Sequence, residues 1–179
     1  MYSLRLTCKT LTAVGLLCGV GMAGAASKTS SFAVTTTVVA NCFINSASAM
    51  TFGSYTAGTG NVDQTSSIVL RCSNTTTYGI GLDAGTGVGS TLAQRKMTIG
   101  AGGANNEVNY NLYTDAARTV LWANPVTAAT AAGNQGGTGT GLGNTATHTV
   151  YGRLTDDATS QAATPSALYT STVTLTINY

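Results

Sequence analysis

The chain is expected to fold as an all-β protein, and three observations carry that expectation. Apolar and polar residues alternate with a period of two near both ends. Phe32, Val34 and Val38 share one face of an early run. Tyr169, Val173, Leu175, Ile177 and Tyr179 share one face of the last, with Thr170, Thr172, Thr174, Thr176 and Asn178 on the other. A two-residue period marks a half-buried strand. The composition is rich in Gly, Thr, Ala, Ser and Asn, with few Leu, Glu and Lys, so β-branched residues outweigh most helix formers. Many short strand-like runs are separated by Gly-rich turns, the pattern of a sandwich or barrel.

Residues 1–25 read as a secretory signal. Arg5 and Lys9 give a basic start, Leu11 to Val20 an apolar stretch, and Ala23-Gly24-Ala25 a small-residue cleavage site. The apolar stretch is shorter than the about 20 residues a membrane span needs. Cys18 lies within it, but Leu17 before it is larger than the residue that normally precedes a lipidated cysteine. Cleavage near Ala25 removes Arg5 and Lys9. The formal charge of +2 then falls to about zero. No basic patch remains to neutralise phosphates, which argues against nucleic acid. Cleavage also removes Cys8 and Cys18, leaving Cys42 and Cys72 as a single possible pair. In an oxidising compartment a disulfide is expected. A redox or metal pair is the alternative, and it lacks a nearby histidine, since His148 is the sole one.

The strand-like runs follow in order. Asn41 to Ile44 reads as a short strand or a continuation of the first. Residues 50–55 alternate Met50 and Phe52 against Thr51. In residues 67–72, Ile68, Leu70 and Cys72 share a face. In residues 77–82, Tyr78, Ile80 and Leu82 do, with Gly79 and Gly81 opposite. Residues 96–99 form a possible short strand. Residues 108–113 and 120–122 read as a hairpin whose polar turn starts at Asp115. Residues 128–144 read as a long Gly-rich loop. Residues 147–154 form another strand, 156–166 a loop ending at Pro165, and 169–179 the last strand. One domain accommodates them all.

Enzyme chemistry finds little purchase. His148 lacks a neighbouring nucleophile with an orienting third group and reads as a surface strand residue. Asp156 and Asp157 lack the spacing of a calcium loop and read as solvated charges. The glycines of 137–143 lack the Lys-Ser/Thr ending and following helix of a phosphate loop. Tyr110, Tyr113 and Trp122 fit either a sugar platform or core packing. No cofactor or metal site is expected.

Taken together, these residues resemble the spore coat protein U-like domains, which include the pilins of archaic (Csu-type) chaperone–usher pili. The likeness rests on the alternating segment before Cys42, the apolar strand ending at Cys72, the hairpin of residues 110–122, and the strand of residues 169–179. It covers essentially the whole mature chain. The resemblance implies an incomplete immunoglobulin-like β-sandwich completed by donor-strand exchange. Residues 26–40 would be the donor segment, presenting Phe32, Val34, Thr36 and Val38, and residues 41–179 the domain. Tyr169, Val173, Leu175, Ile177 and Tyr179 would line the receiving groove or the chaperone contact. The implied partners are a periplasmic pilus chaperone, an outer-membrane usher and identical or related pilin subunits. The implied role is a structural fimbrial subunit, exported through the periplasm to the cell surface of a Gram-negative bacterium and serving adhesion and biofilm formation. Two other readings stand beside it: a self-complemented secreted or coat domain, and a carbohydrate-binding module.

Overall fold

The structure is a computed structural model, and it describes residues 24–124 and 135–179. The expected leader falls almost wholly outside the described residues, as does part of the 128–144 loop. The chain divides into two units, one up to Thr37 and one from Val38. In the first, residues 24–37 adopt neither helix nor strand and are exposed throughout. The second is a two-sheet sandwich.

The second unit contains β1 (Cys42–Ala47), β2 (Val62–Cys72), β3 (Thr77–Leu82), β4 (Arg95–Thr98), β5 (Glu107–Tyr113), β6 (Gln135–Thr138), β7 (Ala146–Leu154), a one-turn helix α1 (Ala158–Gln161) and β8 (Leu175–Asn178). One sheet has the order β1-β2-β7-β5-β4 and the other β6-β3-β8. Among the described residues the strand pairings are antiparallel. The alternation read in the sequence sets which faces meet. Ile68, Leu70 and Cys72 of β2, Leu112 and Tyr110 of β5 and Val150 of β7 pack with Tyr78, Ile80 and Leu82 of β3 in one buried cluster. Cys42 and Cys72 are opposite one another across β1 and β2 and form a disulfide.

Several segments depart from expectation, each for a local reason. Residues 50–55 form no strand: Gly53 turns the chain at φ 71°, yet Met50 and Phe52 still pack against the core. The second arm of the 108–122 hairpin is reduced to one bridge, Tyr113 with Leu121. There Asp115 accepts the backbone N–H of Thr119 and Val120, and Arg118 takes φ 58°, so the turn wins over the ladder. The Gly-rich 128–144 stretch contains a strand, β6, because the free edge of β3 supplies partners. Gly137 leaves room there for the Tyr78 ring, since an added Cβ would lie 3.0 Å from its hydroxyl. The 156–166 loop contains α1, capped by the Asp157 carboxylate accepting from the Ser160 N–H.

Asp156 and Asp157 therefore have structural partners rather than a purely solvated setting. The Tyr55 hydroxyl donates to Asp156, as do the N–H groups of Gly58 and Gly60 at 3.0 and 2.7 Å. These bonds hold the Asp156 carboxyl at about 2. Asp157 also accepts from the Asn109 side chain at 2.8 Å. Asp63, chelated by Arg153 at 2.7 and 2.8 Å, sits below the usual carboxylate range, as does Glu107 beside Lys96.

A pH dependence follows. Carboxylates depressed in the fold contribute stability above the unfolded-state value of about 4, and lose it as pH falls toward the folded value. His148 acts in a higher window, because burial lowers its pKa and the unfolded chain takes the proton first. Melting temperature is expected to decline slightly as pH drops below about 6.5 and steeply between about 4 and 2. A melting temperature that rises on acidification from pH 4 to 2 would contradict this origin of acid lability.

Candidate functional site

The candidate site is the open side of the sandwich, between the edge strands β1 and β8. Every residue of β1 after Cys42 is exposed, including Ile44, which points to the core face and is nonetheless 48% exposed. Its pairing with the buried Leu70 puts it on that face. On the opposite wall, exposure alternates along the C-terminal stretch: Tyr169, Ser171, Val173, Leu175 and Ile177 are half-buried, while Thr170, Thr172, Thr174 and Thr176 are exposed. Tyr179 is exposed as well, and its hydroxyl donates to Asn41 Oδ1 at 3.4 Å.

Only Leu175–Asn178 of the expected 169–179 strand forms a regular ladder, with β3. Upstream, the backbone bonds go to loop and bridge groups. Thr170 exchanges bonds with Thr98, the Thr172 C=O accepts from Thr86 N–H at 3.0 Å, and the Thr174 C=O accepts from Asp83 N–H at 3.1 Å. The Thr172 and Thr174 N–H groups donate to Thr86 Oγ1 and Asp83 Oδ1. In an extended chain successive residues send their N–H and C=O to opposite sides. The peptides of Ser171, Val173, Leu175 and Ile177 therefore face the open edge. Seven residues, 171–177, thus present a polar edge above an apolar trough.

The trough is a cleft of about 500 Å³. Its floor carries Ile68, Leu112 and Val150, and its walls carry Ala47, Met50, Phe52, Val173 and Leu175. It continues past Met50, Phe52 and Met97 into a second cleft of about 760 Å³ that reaches Tyr55, Pro165 and Tyr169. Gly152 shapes the floor, because a Cβ there would sit 2.1 Å from Met50 Sδ. Met50 and Phe52, read from the sequence as a strand, thus form one lip of the trough. Their two-residue spacing was the available signal. Nothing in the sequence indicated that Ile44 would be left uncovered.

The structure brings Val173 and Leu175 into the trough and Tyr169 into its extension. Ile177 packs against the same core. Phe32, Val34, Thr36 and Val38 are all exposed, with Phe32 at 87%. The Tyr110–Trp122 group supplies no platform: Trp122 is fully buried and donates its indole N–H to the Ile80 carbonyl at 3.0 Å. Tyr110 is buried beside Phe52. His148 is half-buried rather than on the surface, 3.0 Å from the Tyr78 hydroxyl. Among the described residues no three His, Cys, Asp or Glu side chains gather as a metal site, and no helix is long and apolar enough to cross a membrane.

An antiparallel two-sheet sandwich with one uncovered flank defines a class of β-sandwich domains with an open edge. Within that class the sequence matches the family model described as the Spore Coat Protein U domain over residues 28–176, and the chain belongs to that family. Among solved structures it is similar to the CsuC–CsuE chaperone–tip adhesion subunit pre-assembly complex from archaic chaperone–usher Csu pili of Acinetobacter baumannii. The identity is 20% and the TM-score 0.50. That match covers 80% of this chain and 40% of the other, and the likeness is one of fold. A comparison with curated proteins gives no match.

Proposed function

We propose that this chain is a structural pilus subunit whose open trough receives an N-terminal donor strand from another subunit. The observation that carries this reading is the pairing of two unsatisfied features. One is a trough flanked by the outward-facing peptides of residues 171–177; the other is an alternating segment with Phe32 and Val34 exposed at 87 and 83%. An uncovered apolar edge invites aggregation unless a strand pairs with it, and strand addition is a recognised mode of recognition. The segment of residues 32–38 has the same seven-residue span as the open edge. Burying Phe32, Val34 and Val38 would contribute roughly 1.5–3 kcal/mol each, and the ladder bonds about 0.5–1.5 kcal/mol apiece.

In this reading residues 1–25 are a cleaved leader, 26–40 the donor segment and 41–179 the receiving domain. Family membership and the fold-level likeness to a chaperone-bound subunit support a periplasmic chaperone as first occupant of the trough and an outer-membrane usher as the site of exchange. The contact is head-to-tail and does not close on itself, so it extends into a filament at the cell surface, where adhesion and biofilm formation are the expected uses. The chain's role is structural rather than enzymatic.

The test is assembly. Phe32→Asp with Val34→Asp is expected to abolish polymer formation by the exported protein while leaving its β-sheet circular dichroism unchanged. Polymers of undiminished yield from the double variant would end the proposal.

A further inference from the structure

The lip of the trough belongs to a connector between two strands, and one carboxylate holds its far end. We infer that Asp156 is a positioning residue for the trough: it clasps this connector so that Met50 and Phe52 stand as a preformed wall for an incoming strand. The inference rests on the donor-strand reading above and adds what sets the affinity of that site.

The connector runs from the end of β1 at Ala47 to the start of β2 at Val62. At its near end the Ser48 N–H donates to the Ser67 carbonyl at 2.9 Å, and the Ser67 N–H donates to Ser48 Oγ at 2.9 Å. Among the described residues, no backbone hydrogen bond joins residues 49–54 to either sheet. Side chains make the contact instead: Met50 and Phe52 pack against the core and line both clefts. Phe52 leans on Tyr110, with ring centroids 6.1 Å apart, and the Tyr110 hydroxyl donates to Ser171 Oγ on the opposite wall at 3.1 Å. The position of Phe52 is thereby linked to both sides of the trough.

The far end closes on Asp156. Its carboxylate accepts from the Tyr55 hydroxyl and from the N–H groups of Gly58 and Gly60, and its own N–H donates to Asn61 Oδ1 at 2.9 Å. Gly58 and Gly60 take φ 77° and 103°, left-handed backbone open to glycine, and both N–H groups reach the same carboxylate. A Cβ at either position would meet nothing within 4 Å, so these glycines serve the turn rather than a tight contact. The ground on which the clasp stands is firm. The Thr155 N–H donates to the Asn109 carbonyl on β5 at 3.0 Å, and Asp157 caps α1. The Asp156 carboxyl is held at about 2, chiefly by the Tyr55 hydroxyl, so it is ionised at neutral pH. Removing it would leave the connector held by Met50, Phe52 and the Asn61 bond. A wall that is in place for only a fraction of the time lowers the apparent affinity of its site by that fraction.

The experiment separates affinity from stability. The full chain carrying Phe32→Asp and Val34→Asp is the parent, so that its own segment does not compete. A synthetic peptide of residues 29–40 is titrated into the parent and three variants by calorimetry, and their urea midpoints are measured. Asp156→Ala is expected to weaken binding about tenfold, the loss when the wall is in place about one-tenth of the time. Tyr55→Phe removes one donor to the same carboxylate and is expected to weaken binding about threefold. Asp115→Ala removes a carboxylate that likewise gathers backbone N–H groups, in a turn that does not line the trough. It should lower the urea midpoint and leave the peptide affinity within about twofold of the parent. Parental affinity in both Asp156→Ala and Tyr55→Phe would overturn the inference and leave the donor-strand reading in place. So would an Asp115→Ala protein weakened as much as Asp156→Ala, because the effect would then be one of general loosening. Should Asp156→Ala fail to fold, Tyr55→Phe decides between the same outcomes. A parent that binds no peptide would remove the donor-strand reading, and the inference with it.

Discussion

Trp122→Ala is expected to destabilise the domain by about 3–5 kcal/mol. Trp122 is the largest fully buried side chain among the described residues. It joins the two sheets: its backbone N–H donates to the Leu112 carbonyl on β5 at 2.8 Å, and its indole N–H donates to the Ile80 carbonyl on β3 at 3.0 Å. Its own carbonyl accepts from the buried Arg95 at 3.1 Å. Alanine would leave a cavity between the sheets and strip the Ile80 carbonyl of its indole donor. Trp122→Phe would refill most of the volume and restore no donor, so its loss should be nearer about 1–3 kcal/mol. Urea titration of the two variants separates the terms, and a change below about 1 kcal/mol for Trp122→Ala would contradict this packing role.

Replacing both Cys42 and Cys72 by alanine is expected to lower stability by about 3–4 kcal/mol, the magnitude for closing a loop of this length in the unfolded chain. The two cysteines are separated by 30 residues. Their bond ties the start of the edge strand β1, otherwise exposed on both faces, to the C-terminal end of β2, where Ile68, Leu70 and Cys72 are buried. The urea midpoint of the double variant should therefore fall, and that of the native protein should fall to a similar value after reduction. An unchanged midpoint in both cases would show that β1 is held by its ladder alone.

Much of this architecture is legible in the sequence because it is written in short-range alternation. Ile68, Leu70 and Cys72 mark the inner face of β2, and Tyr78, Ile80 and Leu82 that of β3; all six are buried. The cysteine pair is legible because the leader expected from the sequence, once set aside, leaves Cys42 and Cys72 as a single combination. What stays hidden depends on contacts distant in sequence. No local pattern in the sequence marks Arg95 for the interior, yet it is wholly buried. It donates to the carbonyls of Leu82, Asp83 and Trp122, groups that the strand ends leave without ladder partners. Burial opposes its charge and lowers its pKa, while Tyr110 and Asp83 act in the other direction. No local window pairs residue 95 with residues 82 and 122.

The candidate site divides in the same way. The half-buried face of residues 169–177 follows from alternation. The shortness of β8 does not, because Asp83, Thr86 and Thr98 occupy the inner side of residues 170–174 in place of a regular ladder. The lip formed by Met50 and Phe52 depends on Gly152, a small residue on β7 about a hundred positions away, whose lack of a side chain admits the Met50 sulfur.

The trough is expected to receive the segment of residues 32–38. Calorimetric titration of a synthetic peptide of residues 29–40 into the Phe32→Asp, Val34→Asp protein tests it most directly. Saturable one-to-one binding is predicted, lost when the peptide itself carries Phe32→Asp and Val34→Asp, and weakened when the protein carries Leu175→Asp on the trough wall. Absence of binding, or binding indifferent to both changes, would contradict the claim.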